Sequence, residues 1–428
     1  MRQQKRIAIL GAGFSGLTLA WNLKKLGMEV EIFESDTQVG GLIQTKQRQV
    51  LVETGAHALL ASEAVENLFA ELKLNIAEAG HLSKKKWIFR TRARNWSLSL
   101  SETVKVVFSY LLALLRGQKW PKPQETVEQW LLRIGSRQLC DFVAAPGLQG
   151  IYGSQAKDLS ASLVIGGVFS KEIKPSLGSK RGSIAPVEGM SALMFSLKKN
   201  LEMQSVQFHF GSVENLSSLQ SRFESVVLAT SLLQASQLLE KIAPIVSEKM
   251  KSLPTVSLVA TTIGFSNPTN RVRGFGCLFP KNENFHSLGV LFNTDLFENR
   301  GRLTSETWIF NGQALPLTDS EILDQIHGDR RRLSSESLKI EFSEIVRWPN
   351  VLPLYGIELE KFLEADFFVR RESALKIPAL NLLKEGAQIK ESNFPVYLTG
   401  NYLGGIGLSK ILNYNQRLAR RIHSDCED

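Results

Sequence analysis

Arg6-Ile7-Ala8-Ile9-Leu10-Gly11-Ala12-Gly13-Phe14-Ser15-Gly16, residues 6–16, runs from a short apolar stretch into three glycines spaced Gly-x-Gly-x-x-Gly. Beyond it Leu17, Leu19, Ala20 and Leu23 recur at helical spacing, and Gly27 marks a stop. Val30 and Ile32-Phe33 then give a second apolar run that ends on Glu34. Strand, tight turn, helix and strand form a βαβ unit, which requires a parallel sheet. The glycines allow a sharp turn, let backbone approach a pyrophosphate, and start a helix whose first amides face negative charge. Glu34, 23 positions after Gly11, is placed to accept hydrogen bonds from ribose hydroxyls. A carboxylate there disfavours a 2′-phosphate, so the unit selects NAD or FAD over NADP.

The residues that follow decide between those two. Ser35-Asp36-Thr37-Gln38-Val39 lead to a second glycine pair, Gly40-Gly41, which lets another stretch of backbone lie along an extended cofactor. Simple nicotinamide dehydrogenases usually lack such a pair, and FAD is the expected cofactor.

Working outward, 428 residues exceed one simple core and predict two or three domains. With 43% hydrophobic and 22% charged residues, disordered and fibrous classes are excluded. Cys140, Cys277 and Cys426 are too scattered for a disulfide framework or a CxxC metal site, which fits a reducing cytoplasm. Six dispersed histidines show no HxxxH spacing, so no metal is expected. The N-terminus shows no export signal, and the longest apolar run, Val106 to Leu115, falls short of the roughly 20 residues of a spanning helix. A formal charge of +9 favours an anionic partner without choosing one, and no motif points to nucleic acid.

The fold class is therefore α/β: a glutathione-reductase-like, Rossmann-type FAD domain with an α+β substrate domain and a helical insertion. Ser225 to Leu228 and Val396 to Thr399 are expected to return to the first sheet, the latter leading through glycines into a helix from about Leu408 to Ile422. This assigns 1–80, 183–253 and 386–428 to the discontinuous FAD domain, 81–98 and 254–385 to the substrate domain, and 99–182 to the insertion. Thr126-Val127-Glu128-Gln129 forms a capping box, with Gly135 as the helix stop. Leu98 to Arg116 carries one broad apolar face flanked by Lys105, Arg116 and Lys119, which suits a core helix or one lying on a membrane surface.

Gly11 to Gly41 resembles the FAD motif of the flavin-containing amine oxidase superfamily, and Tyr397-Leu398-Thr399-Gly400-Asn401 is similar to its closing strand and turn at the isoalloxazine. Thr126 to Gly135, Phe142, Pro146-Gly147, Gly150-Ile151-Tyr152-Gly153 and Asp158-Leu159-Ser160 resemble the helical insertion of the protoporphyrinogen oxidases. Gly274 to Pro280, Trp348 to Tyr355 and Gly400 to Gly407 extend that resemblance along the chain. It implies porphyrinogen oxidation in heme biosynthesis: hydride passes to flavin in three two-electron rounds, with oxygen or another acceptor regenerating the cofactor, on protoporphyrinogen IX or coproporphyrinogen III. It also implies a membrane-docking role for the insertion, in a cytoplasmic protein held peripherally; a homodimer stays open. The chain departs from the pattern at Leu408-Ser409-Lys410-Ile411 and offers no cleanly aligned propionate-binding arginine.

The expected cofactor contacts are Gly11, Gly13, Phe14, Ser15, Gly16, Glu34, Gly40, Gly41, Leu42, His57, Val213, Gly400, Asn401, Gly405 and Ile406. Arg90, Arg92 and Arg94 alternate, so on one strand they share a face and could bind carboxylates; a solvated basic edge competes. Gly404 is expected beside the substrate ring. No catalytic base is named, because flavin is the electron sink and the protein mainly positions substrate. Phe275, Phe279, Phe292 and Phe297 suit a wide pocket or sheet core. The rivals are an amine oxidase or carotenoid desaturase, for which Tyr402 would frame the flavin, and a non-catalytic assembly module. Hydrolase chemistry has no supporting triad.

Overall fold

The computed structural model describes residues 5–169, 182–211, 215–266, 271–298, 300–334, 338–366, 368, 386–390 and 394–427. Among them the apolar run Arg6–Leu10 lies inside a six-stranded sheet. The order is Gln207–Phe210, Glu29–Glu34, Arg6–Leu10, Ser225–Leu228, Val396–Leu398 and Ala387–Gln388, the first five parallel and the last antiparallel. Ile7, Ala8 and Ile9 are fully buried, as strands covered on both faces must be. Helix Phe14–Lys25 covers one face, ending before Gly27 at φ 77°. The closing helix, Leu408–Glu427, packs beside it.

A seven-stranded sheet forms the second lobe, in the order Phe342–Pro353, Thr255–Phe265, Thr304–Asn311, Gly289–Leu291, Gly276–Leu278, Lys86–Arg90 and Arg92–Arg94. Strand alternation gives its two faces different tasks. Val259, Thr261 and Ile263 stand opposite Phe310, Trp308 and Glu306, and this face is closed by Ile322 and Ile326 of helix Asp319–Ser334. Here Glu306 and Arg330 form a buried ion pair at 3.2 Å. The other face meets the first lobe: Trp348 donates to the Thr54 carbonyl at 2.8 Å, and Lys46 pairs with Glu344 at 2.6 Å. Phe279 and Phe292 belong to the closed core, Phe279 stacking 4.0 Å from Phe285, and Phe297 is buried in the first lobe's cluster.

The described part of the 99–182 stretch is largely helical. Helix Val127–Ile134 has the expected capping box, Gln129 answering Thr126. Helix Leu100–Leu115 turns its apolar face outward, the second of the two expected orientations. Glu102, Val106, Ser109 and Ala113 face the protein, and Val104, Val107, Phe108, Leu111, Leu114 and Leu115 are exposed, Phe108 by 62%. The core alternative for its apolar face is thus corrected: small and polar side chains fit close against the fold, leaving the bulky ones outward.

The arginine expectation also needs correction. Thr91, at φ 59°, reverses the chain, so Arg90 pairs with Arg92 and Ile88 with Arg94 across a hairpin rather than along one strand. Arg90 grips Glu102 with two bonds, at 2.8 and 3.0 Å, and its guanidinium lies 4.0 Å over the Phe142 ring. Arg92 and Arg94 are exposed.

The Arg90 hydrogen bonds, joined by the Ser99 amide, hold Glu102 down to about 2. A carboxylate depressed in the folded state adds stability that is complete above its ordinary value near 4.5 and is lost as pH falls towards 2. Glu102→Gln, which can still cap the helix, should therefore cost about 1–2 kcal/mol at pH 7, with the gap closing between pH 4.5 and 2. Hydrogen exchange across residues 100–115 measures it; a gap independent of pH would show that the ion pair is not what anchors this helix.

Candidate cofactor and active site

Helix Phe14–Lys25 begins at Gly13 with no side-chain cap and no acidic residue in its first turn, so its leading amides and dipole are unopposed. A Cβ added to Gly13 would meet no protein atom within 4 Å, whereas one on Gly16 would stand 1.9 Å from the Gly11 carbonyl oxygen. The two glycines have different causes: Gly16 is closed by its own loop, and Gly13 opens onto space that a phosphate would fill. Phe14 is buried and Ser15 partly so, and the Ser15 carbonyl is held from the C-terminal helix.

Glu34 does more than its position in sequence suggests. Its carboxylate accepts the Ala12 amide at 2.6 Å and the Asp36 amide at 2.9 Å, pinning the glycine loop to the end of the second strand. The oxygens keep lone pairs for ribose hydroxyls. Gly40 bridges Gly13 in parallel, its amide on the Ala12 carbonyl at 3.0 Å, and Gly41 lies beside Gly13, while Leu42 is 40% exposed next to the pair. The two glycine motifs, distant in sequence, make one continuous backbone cradle. Val213 lies outside the described residues.

The C-terminal segment closes this cradle. Asn415, fully buried, donates to the Ser15 carbonyl and Thr18 hydroxyl, both at 2.8 Å, and accepts from Thr399 at 2.5 Å. One side chain thus joins the first helix to the end of strand Val396–Leu398. Gly400, Asn401, Gly404, Gly405 and Ile406 follow at the same carboxyl edge of the sheet, where open α/β folds bind their ligands. Gly405 has φ 92°, and the Lys410 side chain lies against it. Tyr402 is fully buried with its ring against Gly400, so it does not frame an open flavin face.

His57 sits with two residues that sequence alone did not single out. Glu53 accepts Met190 N at 2.9 Å and Thr45 Oγ1 at 2.7 Å, and Arg300 approaches it at 3.7 Å. Burial raises Glu53, and burial together with the Arg300 cation pulls His57 down to about 4, so its imidazole stays neutral. Glu53 ends the strand Leu51–Glu53, which pairs with Thr45–Gln47 beyond Gly40-Gly41, and His57 lies in the loop that follows it. Arg90, Arg92 and Arg94 are on the far hairpin of the second sheet, Arg90 committed to Glu102.

The residues fit a dinucleotide: Gly11 to Gly16 for the pyrophosphate, Glu34 for a ribose, and Gly40-Gly41 with Gly400 to Ile406 along its length. Gly13→Ala should leave soluble folded protein but remove flavin absorbance, whereas Gly16→Ala should abolish soluble yield. Glu34→Ala should weaken FAD binding by about 1.5–3 kcal/mol. Visible spectra and flavin titrations check these, and a fully yellow Gly13→Ala protein would overturn the phosphate placement.

Comparison with known proteins agrees with this geometry. Residues 9–72 match the model of an NAD(P)-binding Rossmann-like domain. The chain is 23% identical to protoporphyrinogen oxidase 2, chloroplastic/mitochondrial, of Arabidopsis thaliana, over 95% of this chain and 91% of that protein. It is 22% identical to protoporphyrinogen oxidase of Schizosaccharomyces pombe over 98% of each. Among solved structures, an Exiguobacterium sp. 255-15 protein provisionally assigned as a protoporphyrinogen oxidase superposes with a TM-score of 0.75 at 15% identity over 99% of both chains. Cyclohexylamine oxidase from Brevibacterium oxydans superposes with a TM-score of 0.68 at 13% identity over the whole of both. Across nearly its full length the chain is thus similar in sequence to protoporphyrinogen oxidases, and its glycine cradle fits FAD.

Proposed function

We propose that the protein oxidises a porphyrinogen, protoporphyrinogen IX or coproporphyrinogen III, to the corresponding porphyrin in heme biosynthesis. The observation that carries this is similarity to protoporphyrinogen oxidases running through both lobes and the insertion rather than through the nucleotide motif alone. FAD supplies the two-electron sink, used three times per porphyrin and regenerated by oxygen or another acceptor. The chain's own residues hold the cofactor at the carboxyl edge of the parallel sheet and set it against the open face of the second sheet. An amine oxidase is less well supported, since Tyr402 is buried away from any open face.

Purified protein incubated with each porphyrinogen should develop porphyrin fluorescence, and the ratio of the two rates names the substrate. A flavin that dithionite reduces but neither porphyrinogen does would sink the proposal.

We further infer that helix Leu100–Leu115 docks the enzyme on an anionic bilayer. Its exposed apolar residues, with exposed Trp96 and Trp120 nearby and Lys105, Arg116 and Lys119 around them, suit the headgroup region. No described helix is long and apolar enough to cross a membrane. Binding to phosphatidylglycerol vesicles should weaken as salt rises. Phe108→Glu with Leu111→Glu should abolish it and keep FAD; Leu112 is the poorer choice because it is half-buried. A wild type that ignores vesicles but dimerises through these residues would make this face a contact between copies instead.

A further inference from the structure

Three distant parts of the chain meet at Tyr355, just after the long strand Phe342–Pro353 of the second sheet. The side chain is buried, 3% exposed. Its hydroxyl donates to the Asn401 carbonyl. Its own carbonyl accepts Ser160 N at 2.7 Å, and its ring lies 5.2 Å from that of Tyr152, in the helical insertion. Asn401 Nδ2 returns to the Val351 carbonyl on the same strand at 3.4 Å.

The turn that Tyr355 grips cannot satisfy itself. Leu403 and Gly404 send their amides to the Gly400 carbonyl, at 3.2 and 2.8 Å. Gly405, at φ 92°, is turned out of that pattern. The next carbonyl, that of Asn401, is taken instead by the buried phenol, so one side chain from the second sheet holds the turn.

We propose that Tyr355 is the positioning residue that holds the Gly400 to Gly407 turn, the C-terminal wall of the cofactor site, in register with the second sheet. Tyr152 supports its ring and ties the insertion to the same point. The kinetic part of this inference rests on the porphyrinogen oxidation proposed above; the structural part requires only bound FAD. Without the hydroxyl the turn relaxes, and the two lobes no longer fix cofactor and substrate at one spacing. A displacement near 1 Å can cost on the order of a hundredfold in rate while leaving binding largely intact.

The test uses the full-length FAD-loaded protein. Tyr355→Phe keeps the ring and should retain stoichiometric FAD. It should change the visible circular dichroism of the flavin and lower kcat by about tenfold or more, with KM within about threefold. Tyr152→Leu should shift the flavin signal in the same direction to a smaller extent, and it decides the matter if Tyr355→Phe does not fold. Unchanged flavin dichroism and a kcat within about twofold of wild type, accompanied only by a lower melting temperature, would overturn the proposal and leave Tyr355 a packing residue. The dichroism is recorded without porphyrinogen. Wild type inactive on both porphyrinogens would therefore refute the substrate and still leave the Tyr355 signature to be read.

Discussion

Everything in the first lobe answers to a helix that begins without a cap. The amides that open Phe14–Lys25 have neither a side-chain cap nor an acid within their first turn, an arrangement that suits an anion brought from outside. Gly16 seals the loop behind them, Glu34 anchors it from the adjacent strand, and Gly40-Gly41 lies alongside. Asn415 braces the same helix from the far end of the sequence. Remove the anion's place and these four features lose their common purpose.

The second lobe is built on strand alternation. One face of its sheet is sealed by Trp308, Phe310 and helix Asp319–Ser334, with the Glu306–Arg330 pair inside. That frees the opposite face to meet the nucleotide lobe, through Trp348 on Thr54 and Lys46 on Glu344. The insertion packs on this face too, Gly150 against Leu278 and Gly153 against Leu258. Core and interface are thus separated by residue parity, so the cleft side can be shaped without disturbing the packed side.

Much of this was legible in the residues themselves. The first βαβ unit, the strand Ser225–Leu228, the capping box at Thr126 and the closing helix all carry local signals: periodicity, glycine spacing, a capping pair. What escaped was non-local. Alternating Arg90, Arg92 and Arg94 look like one strand because nothing in their spacing announces that Thr91 turns back. The apolar stripe of Leu100–Leu115 says that one side differs from the other, but its direction depends on what Glu102 finds across the fold, and that is Arg90. Tyr355, Glu53 and Arg300 gain meaning only from partners tens or hundreds of positions away. Glycine-spaced Tyr152 and the strand end at Tyr355 were each visible as motifs, yet their contact was not.

The staple at Asn415 has a consequence for how the molecule is born. The strand beside Ser225–Leu228 begins at Val396, and the side chain that locks it to the first helix comes later still. The phosphate loop precedes its brace by 400 residues along the chain, from Ser15 to Asn415. Through that stretch of synthesis the nascent chain carries half a cradle, with the first helix unbraced and its sheet missing an inner strand. The first helix gains this brace only once the chain has reached Asn415, so a truncation before that residue would be felt at the phosphate loop.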